Sequence, residues 1–405
     1  MADLLGLTAI LFISLLTFLV AFYWPKVAKI LFVALAVRIT TILIGYYLID
    51  LPDSGKDALR FEQTAWVWAQ NGFLSVLHQY PGPSSSFISW IIGLLYSFTG
   101  RSLLMAQSIS LFFGMGSVFM GWLLARHIWD EKSATKAGWF FALYPSLILY
   151  SCLTLRETYI SFFLLVAIFG IVIWAQNKTI KSIIFTMSGF FAATFFHGGM
   201  IIGAGVFILI VLFQNIKSTL VSLKSFTINL KAILIIFSIT LIMVILFYLN
   251  INIPKLGTLE SAVNSDQLLQ TIKERSVGDA SYPQWLVAES KLELIYKGPI
   301  RILYFIFSPF PWEIEKISHL FGVFDSVIFG ILMFIAVRNR KVIWENLALR
   351  TIVLVIASYF ITFGLVVGNF GTAIRHRTKF IIVVILIIAP LLPKFIFSKK
   401  IKNNK

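Results

Sequence analysis

Apolar residues run along this chain in blocks, most of roughly 17–25 residues and long enough to cross a hydrocarbon core of about 30 Å. The blocks fall at about 4–23, 30–49, 103–125, 138–151, 158–175, 182–196, 199–214, 232–250, 318–337, 347–367 and 380–394. Many lack the polar stripe at 3.6-residue spacing that a surface helix carries. The pattern predicts an all-α, polytopic integral membrane protein with about 11 transmembrane helices, forming one domain over 1–405. The first block, Leu4 to Tyr23, has no basic segment before it and no clear small-residue cleavage site, so it reads as a retained span rather than a signal peptide. Residues 85–99 are apolar but short and are followed by Gly100 and Arg101; they fit either an interfacial helix or a span.

Two long stretches interrupt the blocks, at 50–102 and 251–317. In the first, a helix over about 56–70 is expected to lie on the membrane, with Phe61, Trp66 and Trp68 in the interface and Asp57 favoured by the helix dipole. The second ends "YFIFSPFPWEIEK", where Pro309 and Pro311 flank Phe310. That reads as a broken, interfacial element.

Composition agrees with the pattern. The chain of 405 residues is 59% hydrophobic and 13% charged, against about 25% charged in ordinary soluble domains. The formal charge of +16 does not point to nucleic acid, because the cations are segregated. Placing the turn 24–29 in the cytoplasm gives that side Lys26, Lys29, Arg126, Lys132, Lys136, Lys178, Lys181, Lys217, Lys224, Lys231, Arg338, Arg340, Lys341, Arg350, Lys394, Lys399, Lys400, Lys402 and Lys405, which is 19 of the 34 cations. Only Asp130, Glu131 and Glu345 oppose them there. By the positive-inside rule the C-terminus is cytoplasmic, and 50–102, 152–157, 251–317 and 368–379 face outward across a plasma (inner) membrane. The single cysteine, Cys152, excludes an internal disulfide.

The candidate chemistry lies on the outer face. Asp53, Asp57 and Glu62 follow the second block; a carboxylate held at the membrane surface suits a general base, and helix caps and solvated acids are the plain alternative. Arg156 and Glu157 open a later block, where a charged pair is costly unless paired or functional. His197 lies at an outer span end, in a position as suited to a polar tip as to a ligand contact. "GNFGTAIRHRTKF", 368–380, packs Arg375, His376, Arg377 and Lys379 together. Gly368 and Gly371 predict a non-helical segment, in which both guanidiniums converge on one anion; a continuous helix would splay them by about 200°. Arginines bind phosphate bidentately, and contact with anionic headgroups is the plain alternative. Arg38 is the only charge placed at mid-span and calls for a partner or a cavity. No Walker loop, H-E-x-x-H or Cys/His zinc pattern is present. A divalent cation on Asp57 and Glu62 is a further candidate, although two acids make a poor site.

The ordered series "GKDALRFEQTA" (55–65), "YPGPSSSFISWIIGLLYSFTG" (80–100) and "LLARHIWDEKSATKAGWFFALYPSLILYSCLTLRETYISFF" (from 123) resembles the GT-C superfamily of membrane glycosyltransferases, which includes protein O-mannosyltransferases and aminoarabinose transferases. The resemblance covers about 50–175. Residues 282–312 and 368–380 are similar to GT-C-like proteins of polysaccharide clusters. It implies a polyprenyl-(di)phosphate-linked sugar donor, a glycan or lipid acceptor, and transfer on the outer face. The superfamily's first-loop acid would fall on Asp57, with Glu62 or Asp53 as second candidate, and its later acid on Glu157. Arg375, Arg377 and Lys379, with His376, His197, Asp53 and Arg156, would bind substrate. The chain departs from the pattern in one extra span before the acidic loop and in having no large soluble C-terminal domain. A polymerase or ligase of lipid-linked oligosaccharides shares the same leaving group. A lipid-linked-sugar flippase would show internal repeats and mid-membrane polar residues, and a structural membrane subunit would need no outer acid and arginine clusters.

The orientation has a direct check. With Cys152 replaced by serine, a cysteine placed within 52–84 should react with an impermeant maleimide in intact cells, and one within 126–137 only after permeabilisation. The reverse labelling would sink the orientation.

Overall fold

The computed structural model describes residues 2–224, 230, 232–237, 265–276, 278 and 280–395. The span expected over 232–250 lies outside the described residues beyond 237, as do 251–264 and the tail lysines Lys399, Lys400, Lys402 and Lys405. The described residues form helices and connections with one isolated β-bridge, between Ser281 and Asn369. Among the described residues seven helical stretches are long and apolar enough to cross a membrane. They fall in α1 (Ala2–Tyr23), α2 (Pro25–Tyr47), α6 (Leu103–Ile128), α9 (Glu157–Asn177), α11 (Ile201–Lys224, preceded by a 3-10 turn), α14 (Ile317–Arg338) and α16 (Leu347–Val366). The chain is thus an all-α polytopic membrane protein.

The remaining expected blocks take other forms for identifiable reasons. The block at 138–151 is not one helix. Pro145 lacks an N–H and cannot continue the ladder, so α7 (Glu131–Leu143) stops and α8 (Pro145–Tyr150) restarts. The block at 182–196 becomes α10 (Ile180–Phe196), 17 residues long. The last block starts ten residues early, as α17 (Phe370–Ile387), and its first turns carry three cations. This corrects the expectation of a non-helical 368–379. Asn369 supplies an N-cap, its side chain accepting the Thr372 N–H at 3.2 Å, and that signal outweighs the two glycines.

Between the spans lie α3 (Lys56–Ala69), α4 (Phe73–His78) and α5 (Phe87–Thr99), and later α12 (Ser265–Arg275), α13 (Lys291–Phe307) and α15 (Arg340–Glu345). The amphipathic face of α3 differs from the one expected. Ala58, Phe61, Glu62, Ala65 and Ala69 form its buried stripe, at the i, i+3, i+4, i+7 spacing of one helix face. Phe61 therefore packs inward, while Leu59 and Val67 are exposed. Helix α9 lies against α10 at small residues. A Cβ on Gly189 would come within 2.4 Å of the Ala167 backbone nitrogen, so this approach needs glycine. Helix α17 is enclosed by α6, α7, α8, α9, α13, α14 and α16, and nearly all of 376–387 is buried.

Buried arginines close the helix ends in this interior. At the α7–α8 break, Pro145 leaves the Phe141 carbonyl without its usual donor. Arg38 fills that place: it donates to Phe141 O at 3.1 Å, Ala142 O at 2.9 Å and Ser151 Oγ at 2.9 Å. The mid-span cation thus has the partners it required. Arg301 likewise donates to Leu365 O and Val367 O at the end of α16, and to Leu286 O in the 3-10 turn Gln284–Leu286. Arg377 donates to Ile306 O at the end of α13, and Arg156 to Phe196 O at the end of α10.

Replacing Arg38 by alanine strands two backbone carbonyls, each costing about 1–3 kcal/mol when buried without a partner. Lysine restores charge without the planar fork. Both Arg38→Ala and Arg38→Lys should therefore unfold at clearly lower temperature in detergent, and parent-like unfolding of Arg38→Lys would contradict the capping role.

Candidate functional site

Asp57 sits in the first turn of α3, on the edge of its buried stripe. Glu157 is the first residue of α9 and is 2% exposed. Arg375 projects from the second turn of α17 and joins them, with Nη1 donating to Asp57 Oδ2 at 2.8 Å and Nη2 lying 3.5 Å from Glu157 Oε1. One guanidinium thus bridges carboxylates from two other elements, 318 and 218 residues away in sequence. The Arg375 side chain is 19% exposed, so it reaches the surface.

Three further cations act on these acids. Lys379 and Arg156 lie within electrostatic reach of Glu157, and Arg156 and Arg60 of Asp57. Arg60 is at the rim, 3.2 Å from Asp57 Oδ1. Arg156 lies over the Phe61 ring at 5.4 Å. Glu157 Oε2 and Arg156 Nε are buried and have no hydrogen-bond partner, an uncommon condition for native polar groups. Burial alone would raise the Asp57 carboxyl; the hydrogen bond and charge of Arg375, with Arg60 and Arg156, outweigh it and hold the group below its ordinary range.

Deeper along α17, Lys379 Nζ is 2.7 Å from His376 Nδ1. An ammonium can only donate, so Nδ1 accepts and the ring proton sits on Nε2. His376 stacks on Phe363 at 4.6 Å and meets His197 edge-on at 5.2 Å. His197 Nδ1 accepts the Gly199 N–H. Asp53, in left-handed backbone at φ 62, accepts the Tyr150 hydroxyl at 2.6 Å.

The structure brings together Asp57, Glu157, Arg156, Arg375 and Lys379, with His376 and His197 beyond. It separates two expected members. Glu62, 2% exposed, is held by Arg101 at 2.7 Å and by Tyr96 at 3.0 Å. Arg377 leaves α17 on the side away from Arg375, as helical spacing requires, and spends its Nη atoms on Ile306 O and Ser326 Oγ. The two arginines therefore do not converge on one anion. A cation site on Asp57 and Glu62 does not fit either, since each acid is engaged by a different arginine. Among the described residues no group of three or more His, Cys, Asp or Glu is placed to hold a metal.

Sequence reading missed Asp325, a second mid-span charge, fully buried in α14. One acid in an otherwise apolar block leaves the block's hydropathy intact, but the signal that marked Arg38, a charge inside such a block, applied to Asp325 as well. Comparison with protein-family models, curated proteins and solved structures gives no match for this chain.

The clamp on Asp57 sets a pH dependence. A carboxyl depressed in the folded state contributes stability that is present above its unfolded pKa of about 3.9 and is lost as pH falls through the folded value. The acid limb of the melting curve should therefore flatten in Asp57→Asn. An acid limb identical to the parent's would show that Arg375 does not hold Asp57.

Proposed function

We propose that this chain is a membrane glycosyltransferase that moves a sugar or glycan from a polyprenyl-(di)phosphate donor to an acceptor hydroxyl on the extracytoplasmic face. One observation carries the reading. Arg375, Arg156 and Lys379 gather around two carboxylates, Asp57 and Glu157, and Arg60 adds a fourth cation at the rim, which leaves positive charge in excess in a largely buried cluster with unused polar atoms. Such a site favours an anion, and it lies where α3, a short amphipathic helix, meets the membrane-spanning bundle. The order of motifs that resembles the GT-C superfamily supports the same assignment, as does the basic excess on the opposite loops.

In this reading the donor phosphate competes with Asp57 for Arg375. While clamped, Asp57 is a weak base. Once the guanidinium turns to phosphate, Asp57 becomes free to accept a proton. The acceptor oxygen then bonds to the anomeric carbon as its proton passes to Asp57. The bond from that carbon to the phosphate oxygen breaks, and its electron pair stays on the polyprenyl (di)phosphate. Arg375 and Lys379 stabilise that charge, since fixed cations are most effective where charge develops. Glu157 keeps Arg375 in place after Asp57 releases it. Arg377 belongs to the scaffold in this scheme, not to the donor site.

General-base loss lowers rate by about 10²–10⁴-fold, so Asp57→Asn should fold and lose transfer by that order. Arg375→Lys keeps charge without the fork and should weaken polyprenyl-phosphate binding. Near-parental transfer by Asp57→Asn, or near-parental binding by Arg375→Lys, would overturn the assignment.

A further inference from the structure

Asp325 lies six residues into the apolar stretch that opens at His319, about 9 Å along the helix. It is fully buried, and neither carboxylate oxygen has a hydrogen-bond partner. It faces two groups: Ser146, the second residue of α8, and the guanidinium of Arg377 on α17. Both of those carry unused atoms as well, Ser146 Oγ and Arg377 Nε. The neighbourhood is tied together around them. Ser326 Oγ accepts from Arg377 and donates to Ser308 O, each at 2.7 Å, and the Tyr144 hydroxyl donates to Asp325 O at 3.1 Å.

This arrangement completes the α7–α8 break. Arg38 serves the carbonyls stranded before Pro145, and Asp325 stands on the other side, against the start of α8. An isolated buried carboxylate is unfavourable, as is an isolated buried guanidinium. Facing each other, the two offset that cost. A metal is a poor fit here, because among the described residues the only acid at this place is Asp325 and the charge facing it is a cation.

We propose that Asp325 is a positioning residue, the counter-charge of Arg377, with the two held near each other by the Arg377–Ser326 hydrogen bond on the α17 side and by the Tyr144 hydroxyl at the start of α8. The consequence reaches the site from two directions. Helix α8 ends in Tyr150, which holds Asp53 four residues before Asp57. Helix α17 carries Arg375 two residues before Arg377, so a change in the pitch of α17 at Arg377 moves Arg375 against Asp57 and Glu157. The proposal rests on the transferase reading only for the importance of that movement; the coupling itself is measurable without any donor.

The test uses the full-length chain in detergent, read by melting temperature. Removing one member of a buried pair is strongly destabilising, so Asp325→Asn should melt about 5 °C or more below the parent. Asp325→Asn combined with Arg377→Gln should melt above both single variants. Asp57→Asn and Arg375→Gln should be non-additive in the parent and additive in the Asp325→Asn background, a change that general loosening of the fold would not produce. The proposal is overturned if Asp325→Asn melts with the parent, if the double variant melts below both singles, or if the Asp57–Arg375 coupling persists unchanged. Should Asp325→Asn not fold, the double variant decides: it folds if the two charges are partners and fails if they are not. A transfer assay that fails while these couplings hold would count against the transferase reading alone.

Discussion

A backbone carbonyl released at a helix end inside a hydrocarbon layer has no water to turn to, and a guanidinium in the same place has no water either. In this chain each solves the other's problem. Arg38, Arg156, Arg301 and Arg377 are all at most 8% exposed, and each donates to carbonyls at the end of α7, α10, α16 or α13. The partial negative charge of a helix C-terminus adds to the attraction. Helices can therefore stop and restart within the protein, most clearly at Pro145, and the chain segments released there become available for chemistry.

That use of arginine also isolates Arg375. Its neighbour two residues on is consumed by scaffold carbonyls, whereas Arg375 meets carboxylates. Three elements far apart in sequence converge on it: the first turn of α3, the start of α9 and the second turn of α17. Each is placed by a local feature, respectively the buried stripe of α3, the turn after α8, and the Asn369 cap. An ion pair of this kind draws α3, α9 and α17 together, yet a guanidinium can exchange one anion for another. A phosphate presents two oxygens to a guanidinium as a carboxylate does, so under the proposed function one contact serves both assembly and turnover.

Much of the scaffold was legible in the sequence because membrane spans announce themselves by length and apolarity alone. Helices α1, α2, α6, α9, α14 and α16 lie where the blocks put them, and the amphipathic helix beginning at Lys56 needed only its local pattern. Asp57, Glu157 and Arg375 stood out as charges at the ends of apolar blocks. Their convergence did not, since it depends on packing across more than 200 residues. The division of labour between Arg375 and Arg377 turned on whether α17 had begun, a choice that Asn369 and two glycines pull in opposite directions. Glu62 looked like a companion to Asp57 because five residues separate them, but on a helix that spacing turns it into the buried stripe, where Tyr96 and Arg101 wait. Phe61 was misread for the same reason: its helix face is set by tertiary packing against α5 and Arg156, not by its aromatic character. Asp325 carried the same signal as Arg38, a charge inside an apolar block, and what could not be read was the Arg377 and Ser146 neighbourhood that packing gives it.

In the proposed reaction Arg375 exchanges Asp57 for the donor phosphate. A structure of the full chain in a lipid nanodisc with bound polyprenyl phosphate tests it most directly. The account predicts a phosphate oxygen within hydrogen-bonding distance of Arg375, Glu157 still beside the guanidinium, and Asp57 Oδ2 released from it. A phosphate bound elsewhere, with the Arg375–Asp57 hydrogen bond intact, would contradict it.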